Sequence, residues 1–254
     1  MLEVRELTKR YSSIPVVDGV SFVAKPFEVT GYLGPNGSGK TTTVKMLTGL
    51  LQPTRGRIFF DGHDIRDHLI EYKRRLGYVP EEPDLYSYLT GQEYLQLIGR
   101  LRCMQSKILE EKIEHLLRLF SLRAYRHSAI SSYSKGMRQK ILLSAALLHN
   151  PDILILDEPD SGLDVTSGLI FRSLAKSLAD EGKIVLYSSH VLDVVEKVCS
   201  RVVVLYKGRV VANDSVDRLR DLMKLPSLET IFAQLVLQED TEKVAKNIVE
   251  VMKL

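Results

Sequence analysis

One segment constrains this chain more than any other part of its sequence. A glycine, four further residues and then Gly-Lys-Thr give the run Gly34, Pro35, Asn36, Gly37, Ser38, Gly39, Lys40 and Thr41. Glycines allow the backbone to wrap closely around an anion, so that consecutive N–H groups point towards it. The apolar residues before the run predict a buried strand over 29–33, and those after it predict a helix over 42–50. This order of strand, glycine loop and helix predicts a phosphate-binding loop.

Two side chains of the loop supply chemistry that a bound triphosphate needs. Lys40 carries a mobile ammonium that can reach the β- and γ-phosphates, and the Thr41 hydroxyl is suited to bind Mg²⁺. The following helix adds the positive end of its dipole, and Thr42 extends the predicted nucleotide contacts into the first turn. An ordinary glycine-rich turn is the alternative, and the flanking strand and helix disfavour it. Because many NTPase classes carry this loop, it predicts a nucleotide and leaves the class open.

Composition limits the kind of protein without identifying it. The 254 residues suffice for one large domain or two small ones. A net charge of +3 does not indicate a dedicated nucleic-acid surface. Cys103 and Cys199 form no disulfide framework and indicate a reducing compartment. Every apolar run is too short to span a bilayer, so a membrane role would need a partner protein.

Periodicity predicts an α/β fold with two sheets. Short apolar stretches over 1–30 and at 58–60 predict a small antiparallel sheet beside the phosphate loop. Apolar positions at helical spacing from about 90 to 149 predict an inserted helical subdomain. Continuous apolar runs at 153–156 and 184–187, separated by a helix, predict neighbouring strands of a mainly parallel, covered sheet.

Apolar residues near helical spacing define the predicted helices, and in the inserted helical subdomain their stripes are expected to face the core. In the helical subdomain they include Leu95, Ile98 and Leu101. In the helix between the two parallel strands they are Val165, Leu169, Leu174 and Leu178. The chain beyond about 213 predicts short helices around Pro226.

A pair of carboxylates follows the first of these parallel strands. Asp157 and Glu158 come directly after the run at 153–156, about 115 residues beyond the phosphate loop. In open α/β sheets ligands bind at the carboxyl ends of the strands. An acidic turn is the alternative, and the phosphate loop upstream favours a nucleotide site that contains both carboxylates.

Further motifs follow in a fixed order along the chain. They are Gly77 to Glu81, then Ser134, Lys135, Gly136 and Met137, then Ser161 to Asp164, and finally His190. With the phosphate loop and the carboxylate pair, they resemble the nucleotide-binding domain of the ATP-binding cassette (ABC) family. The resemblance implies a P-loop NTPase core that forms an ABC ATPase domain over 1–215, with a helical appendage over 216–254.

The resemblance also implies a role for each side chain at the site, with ATP and Mg²⁺ as cofactors. Asp157 would orient Mg²⁺ through its water shell, since this ion keeps several waters. Glu158 would face the attacking water as general base or water-positioning residue. His190 would touch the γ-phosphate, whereas a lone histidine is more often structural or solvated. Tyr11 would stack on adenine, or else be a tyrosine in a turn at the end of a strand.

The motif at 134–137 would contact the γ-phosphate held by another subunit. Ser134 at a helix N-terminus is suited both to cap the helix and to bind an anion. Lys135 stands where the family often has glycine, and it either aids phosphate binding or points to solvent. Glu81 stands where glutamine is usual. Its carboxylate can still bind Mg²⁺ or a Mg²⁺-bound water, and its charge makes a cation beside the phosphates more necessary.

The resemblance implies partners as well. ABC domains pair head to tail, so the second subunit is either an identical chain or a relative, and 161–164 would communicate across the dimer. A separate permease would bind near 81–94 and hold the chain in the cytoplasm, against the inner face of the membrane. The runs at 83–91 and 228–232 resemble those of exporter-type subunits.

Three other functions stay open at this point. An importer ATPase would need a different permease and a substrate-binding protein. A soluble ABC ATPase acting on DNA or ribosomes usually has two cassettes or long coiled coils, and this chain has one cassette and no sustained heptads. A nucleotide-responsive module without hydrolysis is disfavoured by the intact Lys40, Asp157, Glu158 and His190.

Overall fold

Ten strands and eight helices form the described part of the chain, residues 1–223, in a computed structural model of the protein. The strands are β1 (Leu2–Arg10), β2 (Pro15–Ala24), β3 (Val29–Leu33), β4 (Arg55–Phe60), β5 (His63–Asp64), β6 (Leu76–Val79), β7 (Ile153–Asp157), β8 (Ile184–Ser189), β9 (Arg201–Tyr206) and β10 (Arg209–Ser215). The helices are α1 (Lys40–Leu47), α2 (Leu69–Arg75), α3 (Gly91–Leu101), α4 (Ser106–Leu119), α5 (Lys135–Leu147), α6 (Val165–Asp180), α7 (Leu192–Val198) and α8 (Val216–Met223).

The predicted antiparallel sheet is present and has the strand order β2-β1-β4-β5. In β1, Leu2 and Val4 are buried while Arg5 is exposed, as expected for a sheet with one covered face. The sheet packs its apolar face on a core that includes Val44 and Leu47 of α1. It therefore flanks the helix that follows the phosphate loop.

The second sheet has the order β10-β9-β3-β8-β7-β6, and its strands run parallel except for β10, which forms a hairpin with β9. Every residue of β3, β7 and β8 is buried, because α6 and α7 cover one face of the sheet and α1 and the antiparallel sheet cover the other. In the register, Leu33 pairs with Ser189, and Asp157 pairs with Ser188. The fold class predicted from the sequence is confirmed, and the ends of β3, β7 and β8 meet at one edge.

The helices α3, α4 and α5 lie within the region predicted to be helical. Thr90 begins α3 through a capping box with Glu93, in which each side chain accepts a hydrogen bond from the other residue's backbone N–H. Leu95 is fully buried, but Leu101 is 71% exposed, so its predicted place on the core face was wrong. Leu101 is the last residue of α3, where the helix leaves the packed layer. The domain boundaries at 90, 149 and 215 stay predictions.

The predicted crossover helix is present as α6, and two of its four predicted apolar residues, Leu174 and Leu178, are half-buried and pack against the core. Val165 is 82% exposed and Leu169 is 55% exposed. Ser167, Phe171 and Ala175 lie on the buried face instead. The buried face of α6 therefore combines small side chains with Phe171, Leu174 and Leu178. The appendage predicted over 216–254 begins with α8, and its remainder, including the run at 228–232, lies outside the described residues.

Candidate functional site

The phosphate loop connects the end of β3 to the start of α1, and its glycines are required by its shape. Gly37 has φ 77° and Gly39 has φ 103°, which are left-handed conformations that side chains disfavour. A Cβ atom on Gly39 would also lie 2.7 Å from the carbonyl oxygen of Val16. The loop therefore keeps its backbone open towards an anion only with glycine at these positions.

Lys40 is the first residue of α1, and only 7% of it is exposed. Its Nζ donates hydrogen bonds to the carbonyl oxygens of Gly34 (2.7 Å) and Pro35 (3.3 Å). Burial lowers the pKa of Lys40, while the nearby carboxylates of Glu158, Asp157 and Glu81 oppose the shift. These bonds hold the ammonium against the start of the phosphate loop.

Asp157 ends β7 and is 1% exposed, and neither of its carboxylate oxygens accepts a hydrogen bond. Burial raises the pKa of Asp157 to about 6, as do the carboxylates of Glu81 and Glu158, whereas Ser188 and Lys40 act in the opposite direction. Two buried acceptor oxygens without donors are suited to the waters around a cation. The Asp157 side chain at the carboxyl end of β7 therefore fits the predicted Mg²⁺ site.

The described residues do not form a complete metal cage by themselves. In residues 1–223 no three His, Cys, Asp or Glu side chains gather in an arrangement that could hold a metal ion. Mg²⁺ is commonly bound by one or two carboxylates together with substrate phosphates and water. The predicted ligands Thr41, Glu81 and Asp157 fit such an arrangement, in which the nucleotide completes the coordination.

Glu158 follows β7 in a left-handed conformation with φ 46°, a strained backbone for a residue with a side chain. Its N–H donates to the carbonyl oxygen of Ser188 at 3.0 Å, which fixes the turn onto β8. Its side chain is 8% exposed, and one carboxylate oxygen lies 2.9 Å from Nδ1 of His190. The turn thus aims a buried carboxylate at a histidine that is itself 56% exposed.

One cavity brings half of the predicted site residues together. Its lining in the described part of the chain is Val16, Asn36, Gly37, Gly39, Lys40, Thr41, Thr42, Glu81, Glu158 and His190. The predicted residues Gly34, Ser38 and Asp157 are buried, and they and Pro35 are absent from the lining. Phosphate loop, base candidate and histidine therefore share one space, although they are distant in sequence.

Tyr11 and the motif at 134–137 do not line this cavity. The Tyr11 ring is 64% exposed, and Nζ of Lys9 lies 5.4 Å from its centroid. Ser134 caps α5, since its Oγ accepts a hydrogen bond from the Met137 N–H at 3.2 Å. The capping role of Ser134 is confirmed, and the nucleotide contacts of Tyr11 and of 134–137 stay predictions.

Tyr187, Asp160 and Arg172 form a cluster beside the turn after Glu158 that was not predicted from the sequence. The Tyr187 hydroxyl donates a hydrogen bond to the carboxylate of Asp160, and Arg172 lies 3.5 Å from the same carboxylate. Tyr187 belongs to β8 and is fully buried. A buried tyrosine hydroxyl needs a polar partner, so Tyr187 within an apolar strand was the available signal. The cluster anchors the turn that follows Glu158.

A second cavity lies between α1 and α2 on one side and the helical region on the other. Leu50, Tyr78, Tyr94, Ile98 and Leu142 are among the residues that line it. Leu50 is 63% exposed, so an apolar surface is open to a partner. Nearby in sequence, the rings of Tyr86 and Tyr88 lie 5.9 Å apart and are 53% and 76% exposed.

Within residues 1–223, the structure contains no helix with both the length and the apolar character needed to cross a membrane.

Comparisons with known proteins agree on the family. The family model described as "ABC transporter" matches residues 17–161. The chain is 36% identical to the ABC transporter ATP-binding protein NatA of Bacillus subtilis (strain 168), over 91% of this chain and 96% of that protein. It is 33% identical to the probable multidrug ABC transporter ATP-binding protein YbhF of Escherichia coli (strain K12), over 95% of this chain and 43% of that protein.

Two solved structures share the fold. One is described as the structure of the ATP binding subunit of an ABC transporter. It has a TM-score of 0.87 and 34% identity, and the match covers 92% of this chain and 99% of that one. The other is a dimeric, post-hydrolysis state of the ATP-binding cassette MJ0796 bound to ADP and Pi. It has a TM-score of 0.78 and 25% identity, and the match covers 85% of this chain and 98% of that one.

Proposed function

The chain belongs to the ABC transporter family, and we propose that it binds and hydrolyses ATP as one of two cassettes that drive a separate permease. The observation that carries this proposal is the cavity that gathers Lys40, Thr41, Glu158 and His190. A phosphate loop alone would support nucleotide binding. A buried carboxylate and a histidine facing the same space support hydrolysis.

The loop residues bind and orient the triphosphate. Backbone N–H groups of 34–41 and the N-terminus of α1 surround the β- and γ-phosphates. Lys40 adds its ammonium to the same oxygens, exchanging its bonds to Gly34 and Pro35 for bonds to phosphate. Thr41, Glu81 and water around Asp157 would hold Mg²⁺, which would supply positive charge to offset that of the triphosphate. Tyr11 stacks on the adenine ring.

Glu158 acts on the attacking water. The water oxygen forms a bond to the γ-phosphorus while the bond from that phosphorus to the bridging oxygen breaks, and Glu158 accepts the water's proton. His190, 2.9 Å from Glu158, restricts the orientation of the carboxylate and reaches the γ-phosphate from the end of β8. ADP and inorganic phosphate are the products.

A second cassette completes the site. Ser134 and Lys135 are exposed and lie apart from the cavity of their own subunit. The dimeric MJ0796 structure supports a pair of cassettes. We place 134–137 of one subunit on the γ-phosphate held by the other, so that ATP closes the dimer and hydrolysis loosens it.

The permease binds the apolar cavity beside the helical region and holds this chain at the inner face of the membrane. The open lining at Leu50, Tyr94 and Ile98 and the exposed rings of Tyr86 and Tyr88 support this surface. We assign export as the direction, because the run at 83–91 resembles exporter-type subunits and because YbhF is named as a probable multidrug transporter.

The variant Glu158→Gln tests the hydrolytic role. It keeps the size and hydrogen-bonding capacity of the side chain but removes the base, so we expect phosphate release to fall by about 10²–10⁴-fold with ATP binding retained. Gel filtration with ATP should show a dimer that persists. The control Glu181→Gln changes an exposed carboxyl at the end of α6 and should behave as wild type. Normal turnover in Glu158→Gln would exclude its role as base.

The variant Leu50→Glu tests the permease surface. We expect it to reduce the share of the protein that sediments with membranes of cells carrying the permease, while ATP hydrolysis by the purified protein stays normal. The control Leu119→Glu alters a residue that is 70% exposed at the end of α4 and absent from this cavity. Equal membrane association of both variants would argue against this surface.

A further inference from the structure

Lys135 contacts the turn that follows Glu158 within the same subunit. Its Nζ donates a hydrogen bond to Oγ of Ser161 at 2.8 Å, across 26 positions of sequence. Its aliphatic stem lies over Gly162, since a Cβ atom added to Gly162 would be 2.5 Å from Cδ and 3.0 Å from Cγ of Lys135. Both the ammonium and the stem therefore contact residues 161–162.

The turn at 158–162 is short and held on its other side. The Ser161 N–H donates to the carbonyl oxygen of Glu158 at 3.1 Å, so Ser161 is one turn away from the proposed base. Asp160 is bonded to Tyr187 and flanked by Arg172. A displacement of Ser161 must therefore be absorbed between the Tyr187 anchor and Glu158, where the backbone is already left-handed.

Helix stability does not explain a lysine at this position. Lys135 is the first residue of α5, where the positive end of the helix dipole disfavours a cation. No ion pair within residues 1–223 compensates its charge. The contact that uses its ammonium is the hydroxyl of Ser161.

We propose that Lys135 is a positioning residue that links the start of α5 to the turn carrying Glu158. This inference rests on the proposed function, in which 134–137 contacts the partner's nucleotide. When the start of α5 moves towards that nucleotide, Lys135 displaces Ser161 and Gly162 through their contacts with it. The displaced turn then changes the orientation of the Glu158 carboxylate. Nucleotide bound at one site thereby changes the orientation of the catalytic base at the other site.

The test uses the full chain and a double-mutant cycle. Lys135→Met keeps the stem and removes the ammonium, and Ser161→Ala removes its acceptor. We expect each to lower kcat for ATP by about two- to tenfold, the loss that one hydrogen bond of ~0.5–1.5 kcal/mol explains, with KM within about twofold of wild type. The double variant should match the single variants, because both remove the same contact.

Two controls separate positioning from stability. Lys107→Met removes an exposed lysine from the first turn of α4 and should leave kcat unchanged. Lys135→Arg, which keeps a donor on a long stem, should recover most of the wild-type kcat. The unfolding temperatures of wild type and the five variants should agree within about 2 °C, since an exposed pair contributes little to stability.

Other patterns overturn the inference. A raised KM with normal kcat in Lys135→Met, and no effect of Ser161→Ala, would mean that Lys135 binds the partner's phosphate directly. Additive losses in the double variant, or no loss in either single variant, would equally exclude the link. If wild type itself releases no phosphate, the proposed function fails first. If wild type hydrolyses ATP and the variants have the same kcat, the role of Lys135 is wrong and the proposed function stands.

Discussion

Replacing Tyr187 with phenylalanine should destabilise the protein measurably. The side chain is fully buried in β8, and its hydroxyl donates to the Asp160 carboxylate, whose own side chain is 17% exposed. Burial raises the pKa of the Tyr187 hydroxyl well above its usual range, and the Asp160 carboxylate adds to the shift, so the hydroxyl stays protonated as a donor. Phenylalanine keeps the ring, opens no cavity and leaves Arg172 as the remaining partner of Asp160.

The size of the effect follows from the charge of the acceptor. A hydrogen bond to a charged group contributes about 1.5–3 kcal/mol, whereas a neutral one contributes about 0.5–1.5 kcal/mol. Tyr32→Phe is the matched control, because Tyr32 is equally buried and its hydroxyl donates to the neutral Oγ1 of Thr43 at 3.1 Å. At about 2–4 °C per kcal/mol for a protein of this size, Tyr187→Phe should lower Tm by roughly 3–12 °C and Tyr32→Phe by roughly 1–6 °C.

The comparison should be made by urea unfolding and calorimetry without nucleotide, since bound ATP would add its own stabilisation. A midpoint change at constant m-value reports the free energy of unfolding directly. If Tyr187→Phe is no more destabilising than Tyr32→Phe, the Asp160 bond is not charge-assisted in solution. The proposed anchor of the turn after Glu158 would then be wrong as well.

Three further predictions concern single side chains. Lys40→Ala should weaken binding of a fluorescent ATP analogue by roughly tenfold or more, because it removes charge-assisted bonds of ~1.5–3 kcal/mol; unchanged affinity would contradict the phosphate-loop assignment. Glu81→Gln should make ATP binding less dependent on Mg²⁺, because it removes a carboxylate that repels the phosphates. Like charges ~8 Å apart near a surface repel by ~2 kcal/mol, so the ratio of Kd in EDTA to Kd in Mg²⁺ should fall by roughly three- to thirtyfold. An unchanged ratio would exclude Glu81 from the cation site. His149→Gln should flatten the loss of stability in acid: burial lowers the pKa of His149 from 6.5 to about 4, so the unfolded chain binds the proton first and stability falls as pH drops from 6.5 towards 4. The fall in the urea unfolding midpoint between pH 7 and pH 5 measures this loss. An equal fall in wild type and His149→Gln would exclude His149 as the cause.

Much of the fold could be predicted from local pattern. The loop at 34–41, the buried strands on either side of the crossover helix and the helical region each show their character within a short window of sequence. Such windows record which residues prefer a strand, a helix or a left-handed glycine, and the structure confirms these elements. The prediction failed for Leu101 at the end of α3, because spacing within a helix does not show how far the neighbouring elements extend along it.

Sequence pattern was sufficient to predict the phosphate loop, the carboxylate pair and the order of motifs that identifies an ABC cassette. The packing of the folded chain was needed to show that Glu158 meets His190, that Tyr187 anchors Asp160 and that Lys135 contacts Ser161. Local preferences act between neighbours in the chain, whereas these contacts depend on β8 lying between β3 and β7 and on where α5 begins. Side chains far apart in sequence find their partners through the topology of the sheet, which no single window contains.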